Sequence, residues 1–511
     1  MPAKRFPRTA AATPHYLASA AALETFARGG NAVDAAIAGN LALGVVAPYF
    51  CGYGGDLFAI VWDGELHGYL GSGRSSSTVD VEAARAAGSG EMPILGPHAV
   101  TVPGAIAGWF DLHERWGSLP FAELAAPALR YARDGFELTP MGAQSFEWSC
   151  LLYEGYDDLL AAYRGLEAGD VVRQPELART IELLVADGPD AYYRGPIAAA
   201  IAETTQGTLA AGDLAAHTGR WAAPLRARYR DIEVAELPPP TQGVTALEAF
   251  RIVDGFDLPL PADGVERQHL LLEAMKLALA DRDAHVTDPD AMRVLAADLL
   301  DDVWIGERRA AIDPERAITP PALPSRLGGT AYLCFADADG LLVSLIQSNF
   351  LSLGSGVRVR EWGINLNNRG SSFTLDPDHV NTLASAKLPM HTLIPAMALR
   401  DGRPELVFGS MGADAQAQVH LQVLTRIVDD GADPQDALDA PRWRVEPSNW
   451  QVRAERGFDR AWFDAMAARG HALERGFPGE PGFGHAHAIA PTPGGYAVAT
   501  DPRAEGAALG F

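Results

Sequence analysis

Apolar positions recur at helical spacing over residues 17–47, an alanine-rich stretch broken at Gly29-Gly30. Asn31 stands where it can cap the second helix, AVDAAIAGNLALGVV, and Pro48 closes it before the loop YFCGYGGD. The pattern then turns to alternation: residues 57–70 (LFAIVWDGELHGYL) carry Asp63-Gly64 between two apolar runs, which predicts a β-hairpin. From 104 to about 300 helical patterns dominate, among them AIAGWFDLHERW, FAELAAPALRYARDG and VERQHLLLEAMKLALADRDA. Within them ARYRDIEVAELPPP reads as one strand running into a proline turn. Residues 310–329, rich in proline and ending in two glycines, read as a loop or linker.

Beyond the linker the texture changes. TAYLCFADADGLLVSLIQS reads as two strands around an Asp-Ala-Asp-Gly turn, and VRVREWGINL continues the alternation. A glycine-rich turn, FGSMGADA, precedes a long amphipathic helix marked by Val419, Leu421, Val423, Leu424, Ile427 and Val428, and HAHAIAPTPGGYAVAT is strand-like. A turn at 337–340 sets Thr330 opposite residues 347–349 and the Ser348 hydroxyl beside Thr330. The Leu-Gly-Gly sequence after a proline-rich loop predicts an accessible, flexible peptide bond before Thr330. Were it cut, Thr330 would expose an α-amine of pKa about 7.7–8.0, suited to act as base for its own hydroxyl. An ordinary strand threonine fits the same spacing, which leaves both readings open.

Composition narrows the function. The chain has 511 residues, 48% hydrophobic and 21% charged, a globular and not a disordered composition. Its net charge of −24 argues against nucleic-acid or membrane-surface partners. Three cysteines cannot make a disulfide framework, and the N-terminal segment has basic residues but no uninterrupted apolar core before a cleavage site. With no uncharged apolar run of about 18 residues, the expected location is the cytoplasm. His485 and His487 alternate on one strand face, and two histidines make a poor metal site. No HExxH, Walker loop or GxSxG elbow is present, which disfavours a serine α/β-hydrolase, and neither a metal nor a cofactor is expected.

At this point the chain resembles a known family. GGNAVDAAIA (29–38), CGYGGDLF (51–58), TVPGAIAGW (101–109), APALRYARDGF (126–136), PPPTQG (238–243) and ADRDAHVTDPD (280–290) occur in order. GTAYLCFADADG (329–340), GSGVRVREWGINLNN (354–368), GSMGA (409–413), DAPRW (439–443) and TDPRAEG (500–506) follow. Together these resemble the γ-glutamyltransferase family of N-terminal-nucleophile hydrolases over nearly the whole chain. The resemblance implies an α+β fold, a four-layer αββα sandwich, and self-cleavage between Gly329 and Thr330. A large segment, 1–329, and a small one, 330–511, would then form one intertwined domain. It further implies Thr330 as nucleophile, Ser348 as its helper, and Gly412 and Ala413 as oxyanion donors at the start of a helix near Asp414. Ala413 stands where the family has a second glycine, and alanine resists positive φ.

The residues that would recognise glutamate depart from the family pattern. Ser72 aligns with the arginine for the α-carboxylate, with Arg74 two residues on. Phe350, Arg369 and Ser372 align with the holders of the α-amine, and His391-Thr392 replaces a pair of serines. A site that gains an arginine and loses a carboxylate favours a carboxylate or a neutral polar group over a free amino acid head. The expected acyl group carries a carboxylate read by Arg369, with Arg74 as a further candidate. The expected activity is therefore that of a self-processing amide hydrolase or acyltransferase acting on a small amide. Its partners would be that substrate and its own two segments. Two alternatives stand beside it: a true γ-glutamyl hydrolase or transferase, and a non-processing homologue with a binding role.

Overall fold

The computed structural model of the chain describes residues 2–511 other than 259, 260, 325, 327, 478 and 479. Two of these, Ser325 and Leu327, belong to the predicted linker and lie outside the described residues. Fourteen strands among the described residues build two seven-stranded sheets. In chain order they are β1 (Lys4–Phe6), β2 (Ala10–Thr13), β3 (Asp56–Trp62), β4 (Leu66–Gly71), β5 (Arg220–Ala222), β6 (Leu225–Tyr229) and β7 (Ile232–Glu236). Then come β8 (Gly329–Ala336), β9 (Leu342–Phe350), β10 (Ala396–Arg400), β11 (Arg403–Ser410), β12 (Ala486–Thr492), β13 (Gly495–Thr500) and β14 (Ala507–Gly510). One sheet runs β14-β2-β8-β9-β3-β4-β5 and the other β1-β13-β12-β11-β10-β7-β6.

Alternation along the central strands explains the layering. On β8, Ala331, Leu333 and Phe335 face a core shared with helices α1 (Tyr16–Ala27), α2 (Ala32–Val46) and α3 (Ala105–Trp116). Tyr332, Cys334 and Ala336 point the other way, into an inner core between the sheets with Phe58, Ile60, Met397, Val407 and Ile489. The second sheet is covered by α4 (Gly243–Val253), α5 (Val265–His285) and α6 (Ala415–Asp430) through a third core. Three cores between four layers make the αββα sandwich. Both faces of β3, β8 and β9 are buried, so their sequences are largely apolar. Most of the polar exceptions gather toward one end: Asp56 opens β3, Thr330 lies near the start of β8, and Gln347, Ser348 and Asn349 lie near the end of β9.

Asn31 caps α2 as expected: its carboxamide oxygen accepts the Val33 and Asp34 N–H groups, both at 2.9 Å, while Asp34 accepts the Asn31 N–H at 3.1 Å. Asp337, in the β8–β9 turn, accepts the Ala32 N–H at 2.9 Å, so the hairpin tip is pinned to the positive end of α2. The segment read as one strand at 227–236 is instead the β6–β7 hairpin. Its turn has Arg230 at φ +55° and no glycine or asparagine to announce it.

The described part of the linker is tied down. Lys276 on α5 donates to the Ile318 carbonyl at 3.0 Å, Glu273 accepts the Ile318 N–H at 2.6 Å, and His269 donates to the Asp313 carbonyl at 2.8 Å. Further on, the Arg326 N–H reaches Asp414 at 2.6 Å. No helix among the described residues is long and apolar enough to cross a membrane.

Candidate active site

Strand register builds the site. Gly329 pairs with Phe350 and Ala331 with Gln347, leaving a bulge in which Thr330 faces Ser348 and Asn349. Ser348 is in turn opposite Asp56 on β3. The glycine loop before β3 fits closely under this bulge. A Cβ on Gly55 would lie 2.4 Å from the Ser348 carbonyl oxygen, and one on Gly54 would lie 2.2 Å from the Asn365 carbonyl oxygen. Only glycine permits that approach.

Thr330 and Ser348 are both buried. The Thr330 hydroxyl donates to Ser348 Oγ at 3.3 Å, and Ser348 donates to the Gly329 carbonyl at 2.6 Å. The Phe350 N–H donates to Ser348 Oγ at 2.7 Å. One hydroxyl thus accepts the proton of a neighbouring hydroxyl and polarises the adjacent carbonyl. That geometry can pass a proton from an attacking Thr330 Oγ toward the oxygen of the bond before it.

Gly412 (φ +129°) and Ala413 (φ +50°) lead into α6, whose flanking residue is Asp414. Their N–H groups meet no protein acceptor among the described residues. The alanine therefore adopts the left-handed conformation, at a cost of about 1–2 kcal/mol. Its setting holds it there: Gln242 donates to the carbonyls of Ala413 (2.9 Å) and Thr392 (2.8 Å). Arg282 donates to Asp414 (2.6 Å) and to Gln242 (2.7 Å). Phe350 (φ +79°) and Ser352 (φ +46°) are strained as well, so three left-handed non-glycine residues lie around the Gly329–Thr330 bond.

Arg369, His391 and Thr392 come together, around a residue that the sequence reading missed. Asp56 is fully buried; its Oδ2 lies 3.0 Å from His391 Nε2 and 3.6 Å from Arg369 Nε. Arg369 donates to Thr392 Oγ1 at 3.2 Å and lies 4.2 Å from the centre of the Phe350 ring. Its Nε and Nη2, and Asp56 Oδ1, have no hydrogen-bond partner among the described residues. The same is true of Ser372 Oγ and of both amide atoms of Asn349. Burial pushes the Asp56 carboxyl up to about 7, against the pull of Arg369 and of the Gly73 and Gly104 N–H groups. Burial lowers Arg369 to about 10 against the pull of Asp56, and it holds His391 well below its ordinary value, helped by Arg369.

Arg74 is elsewhere. It pairs with Asp288 at 2.8 Å and lines a cavity of about 270 Å³ with Ser72, Arg220, His217 and Leu388. His485 and His487 are buried, and burial lowers them to about 4 and about 3, leaving neutral core imidazoles. His269, Glu273 and His471 cluster within ligand distance of one another. The Lys276 ammonium already engages Glu273 (2.9 Å) and His471 (3.3 Å), and the group serves the linker contacts described above.

Fold and site together define an amide hydrolase or acyl-transferring enzyme of the N-terminal-nucleophile sandwich class. The chain belongs to the gamma-glutamyltranspeptidase family, whose model matches residues 18–511. It is 35% identical to the glutathione hydrolase-like YwrD proenzyme of Bacillus subtilis, over 98% of each chain. It is 36% identical to the oxamate amidohydrolase proenzyme of Klebsiella pneumoniae, again over 98% of each. The structure of cephalosporin acylase from Bacillus halodurans superposes with a TM-score of 0.94 at 38% identity, covering 100% of this chain and 98% of that one.

Proposed function

We propose that this chain is a self-cleaving N-terminal-threonine amidohydrolase whose acyl substrate carries a carboxylate held by Arg369. In the first step Thr330 Oγ attacks the Gly329 carbonyl carbon while its proton passes to Ser348, and Ser348 protonates the carbonyl oxygen. Collapse of the adduct returns that proton to the departing Thr330 nitrogen, which leaves an ester and a free Thr330 amine. Water then hydrolyses the ester to a Gly329 carboxylic acid and the restored Thr330 hydroxyl. The products are the segments 1–329 and 330–511, which stay interleaved because β8 and β9 pair with β2 and β3. In turnover the Thr330 amine takes the proton of its own hydroxyl, and an acyl-Thr330 ester forms. The Gly412 and Ala413 N–H groups receive the oxyanion, and water or an amine resolves the ester.

The observation that carries the substrate reading is Arg369: a buried guanidinium with two unpartnered N–H positions, resting on Phe350, the strand partner of Gly329. A planar carboxylate matches that fork. Oxamate, the substrate in the name of the Klebsiella relative, is the shortest amide of this kind. The test is hydrolysis of oxamate, succinamate and glutaramate by the processed protein, beside their neutral counterparts and a γ-glutamyl anilide. Preference for the carboxylate amides, lost in Arg369→Ala, supports the reading. Equal rates on neutral amides overturn it.

Asp56 favours one second reading. It restores a carboxylate beside Arg369, and its free Oδ1 could accept an ammonium, so a zwitterionic γ-glutamyl head fits the same pair. Preference for the anilide identifies that case.

A further inference from the structure

We infer that Asp56 competes with the substrate for Arg369, so that an acyl carboxylate binds together with one proton, which Asp56 takes up from solvent. The inference rests on the proposed role of Arg369 and adds to it a positioning residue and a charge rule.

Charge balance in a closed space governs this site. Asp56, Arg369 and His391 are all fully buried, and the only charges of the trio are one carboxylate and one guanidinium, 3.6 Å apart. His391 presents a neutral ring, its centre 4.4 Å from that of Phe58 and tilted 58° to it, with Nε2 toward Asp56. The other groups facing Asp56 are the Tyr192 and Tyr193 hydroxyls and the Gly73 and Gly104 N–H groups. The tyrosines donate to the Tyr53 and Pro103 carbonyls and do not neutralise a charge. Arg326, from the linker, repels Arg369 and is itself occupied near Asp283 and Asp414.

When a substrate carboxylate docks on the Nε and Nη2 edge, which makes no hydrogen bond but whose Nε lies 3.6 Å from Asp56 Oδ2, two anions share one cation without water. Like charges this close cannot both persist, and one must take a proton. Asp56 is the group placed to do so. Its carboxyl is already raised toward neutrality by burial, and its unpartnered Oδ1 is a site for the proton. The protonated acid then keeps Oδ2 as acceptor for His391, so the ring and Thr392 stay in place. A zwitterionic head brings its own cation and draws no proton.

Below about 7 Asp56 is already protonated and a carboxylate binds without uptake; above it each bound carboxylate takes up close to one proton, and affinity falls about tenfold per pH unit. The experiment is isothermal calorimetry on the self-cleaved protein with butyrate, a monocarboxylate with no amide to cleave. It is run at pH 6 and pH 8 in buffers of different ionisation enthalpy. Wild type is expected to take up close to one proton at pH 8 and little at pH 6. Asp56→Asn, checked for self-cleavage by mass, is expected to take up none at either pH and to bind more tightly than wild type at pH 8. Binding with no uptake at pH 8, or equal uptake in Asp56→Asn, overturns this inference and leaves the Arg369 reading standing. No binding of butyrate to wild type overturns both. If Asp56→Asn fails to fold, the difference between pH 6 and pH 8 in wild type decides alone.

Discussion

Replacing Ser348 by alanine removes three hydrogen bonds at once: from the Thr330 hydroxyl, from the Phe350 N–H, and to the Gly329 carbonyl. The two roles have different magnitudes. Leaving the buried Phe350 N–H without an acceptor costs about 1–3 kcal/mol of stability, which a domain of this size can absorb. Loss of the proton relay acts on the barrier, where a positioned acid or base contributes about 10²–10⁴-fold. At 1.36 kcal/mol per factor of ten this is about 3–5 kcal/mol of activation free energy. Ser348→Ala should therefore fold and remain almost entirely a single chain over the time in which wild type processes completely. Ser348→Thr, which keeps the hydroxyl, should process within about tenfold of wild type. The assay is a time course of intact mass and denaturing gels, with circular dichroism as the folding control. Processing of folded Ser348→Ala at the wild-type rate would refute the relay.

Four further outcomes are expected. Arg369→Ala should lower kcat/KM for carboxylate amides by about 10–100-fold, a charged hydrogen bond of about 1.5–3 kcal/mol, and leave self-cleavage in place. Ala413→Gly should process and turn over as wild type does, since glycine adopts φ +50° freely, whereas Ala413→Pro, which lacks the N–H, should lose turnover. Lys276→Met should destabilise the protein by about 3–5 kcal/mol in denaturant titration, because Glu273 keeps a buried charge without its ammonium, and should expose the linker to proteases. For carboxylate amides relative to neutral amides of the same length, the kcat/KM ratio should fall as pH rises above about 7, where Asp56 ionises. Dividing the two removes the rising limb of the Thr330 amine, and the ratio should be flat in Asp56→Asn.

Much of the layer around Thr330 could be read along the chain. The β8–β9 hairpin is local, its turn is marked by Asp337 and Gly340, and the period of two fixes which residues face Thr330. The α2 cap is a three-residue signal, Asn31 with Asp34, and needs no distant partner. The Asp56 network is the opposite case. Asp56 and His391 are 335 positions apart, and Asp56 opens an apolar strand inside a glycine motif, where it reads as a loop residue. What reveals it is burial next to Arg369, a property of the assembled sheets. A pocket that looked stripped of its carboxylate therefore has one, supplied from another strand. The β6–β7 hairpin escaped because Arg230 and Asp231 give no turn signal, and Arg74 because its partner, Asp288, is fixed only by tertiary structure.

The central claim is that Thr330 makes itself the N-terminus, and intact mass of purified wild type beside Thr330→Ala tests it most directly. Dividing the 54.3 kDa chain in proportion to its two segments predicts fragments of about 35 and 19 kDa, the smaller beginning at Thr330. Both fragments in wild type and one whole chain in Thr330→Ala are the expected result. A wild-type chain that stays whole through long incubation, or a Thr330→Ala chain that is cut at the same bond, contradicts the account.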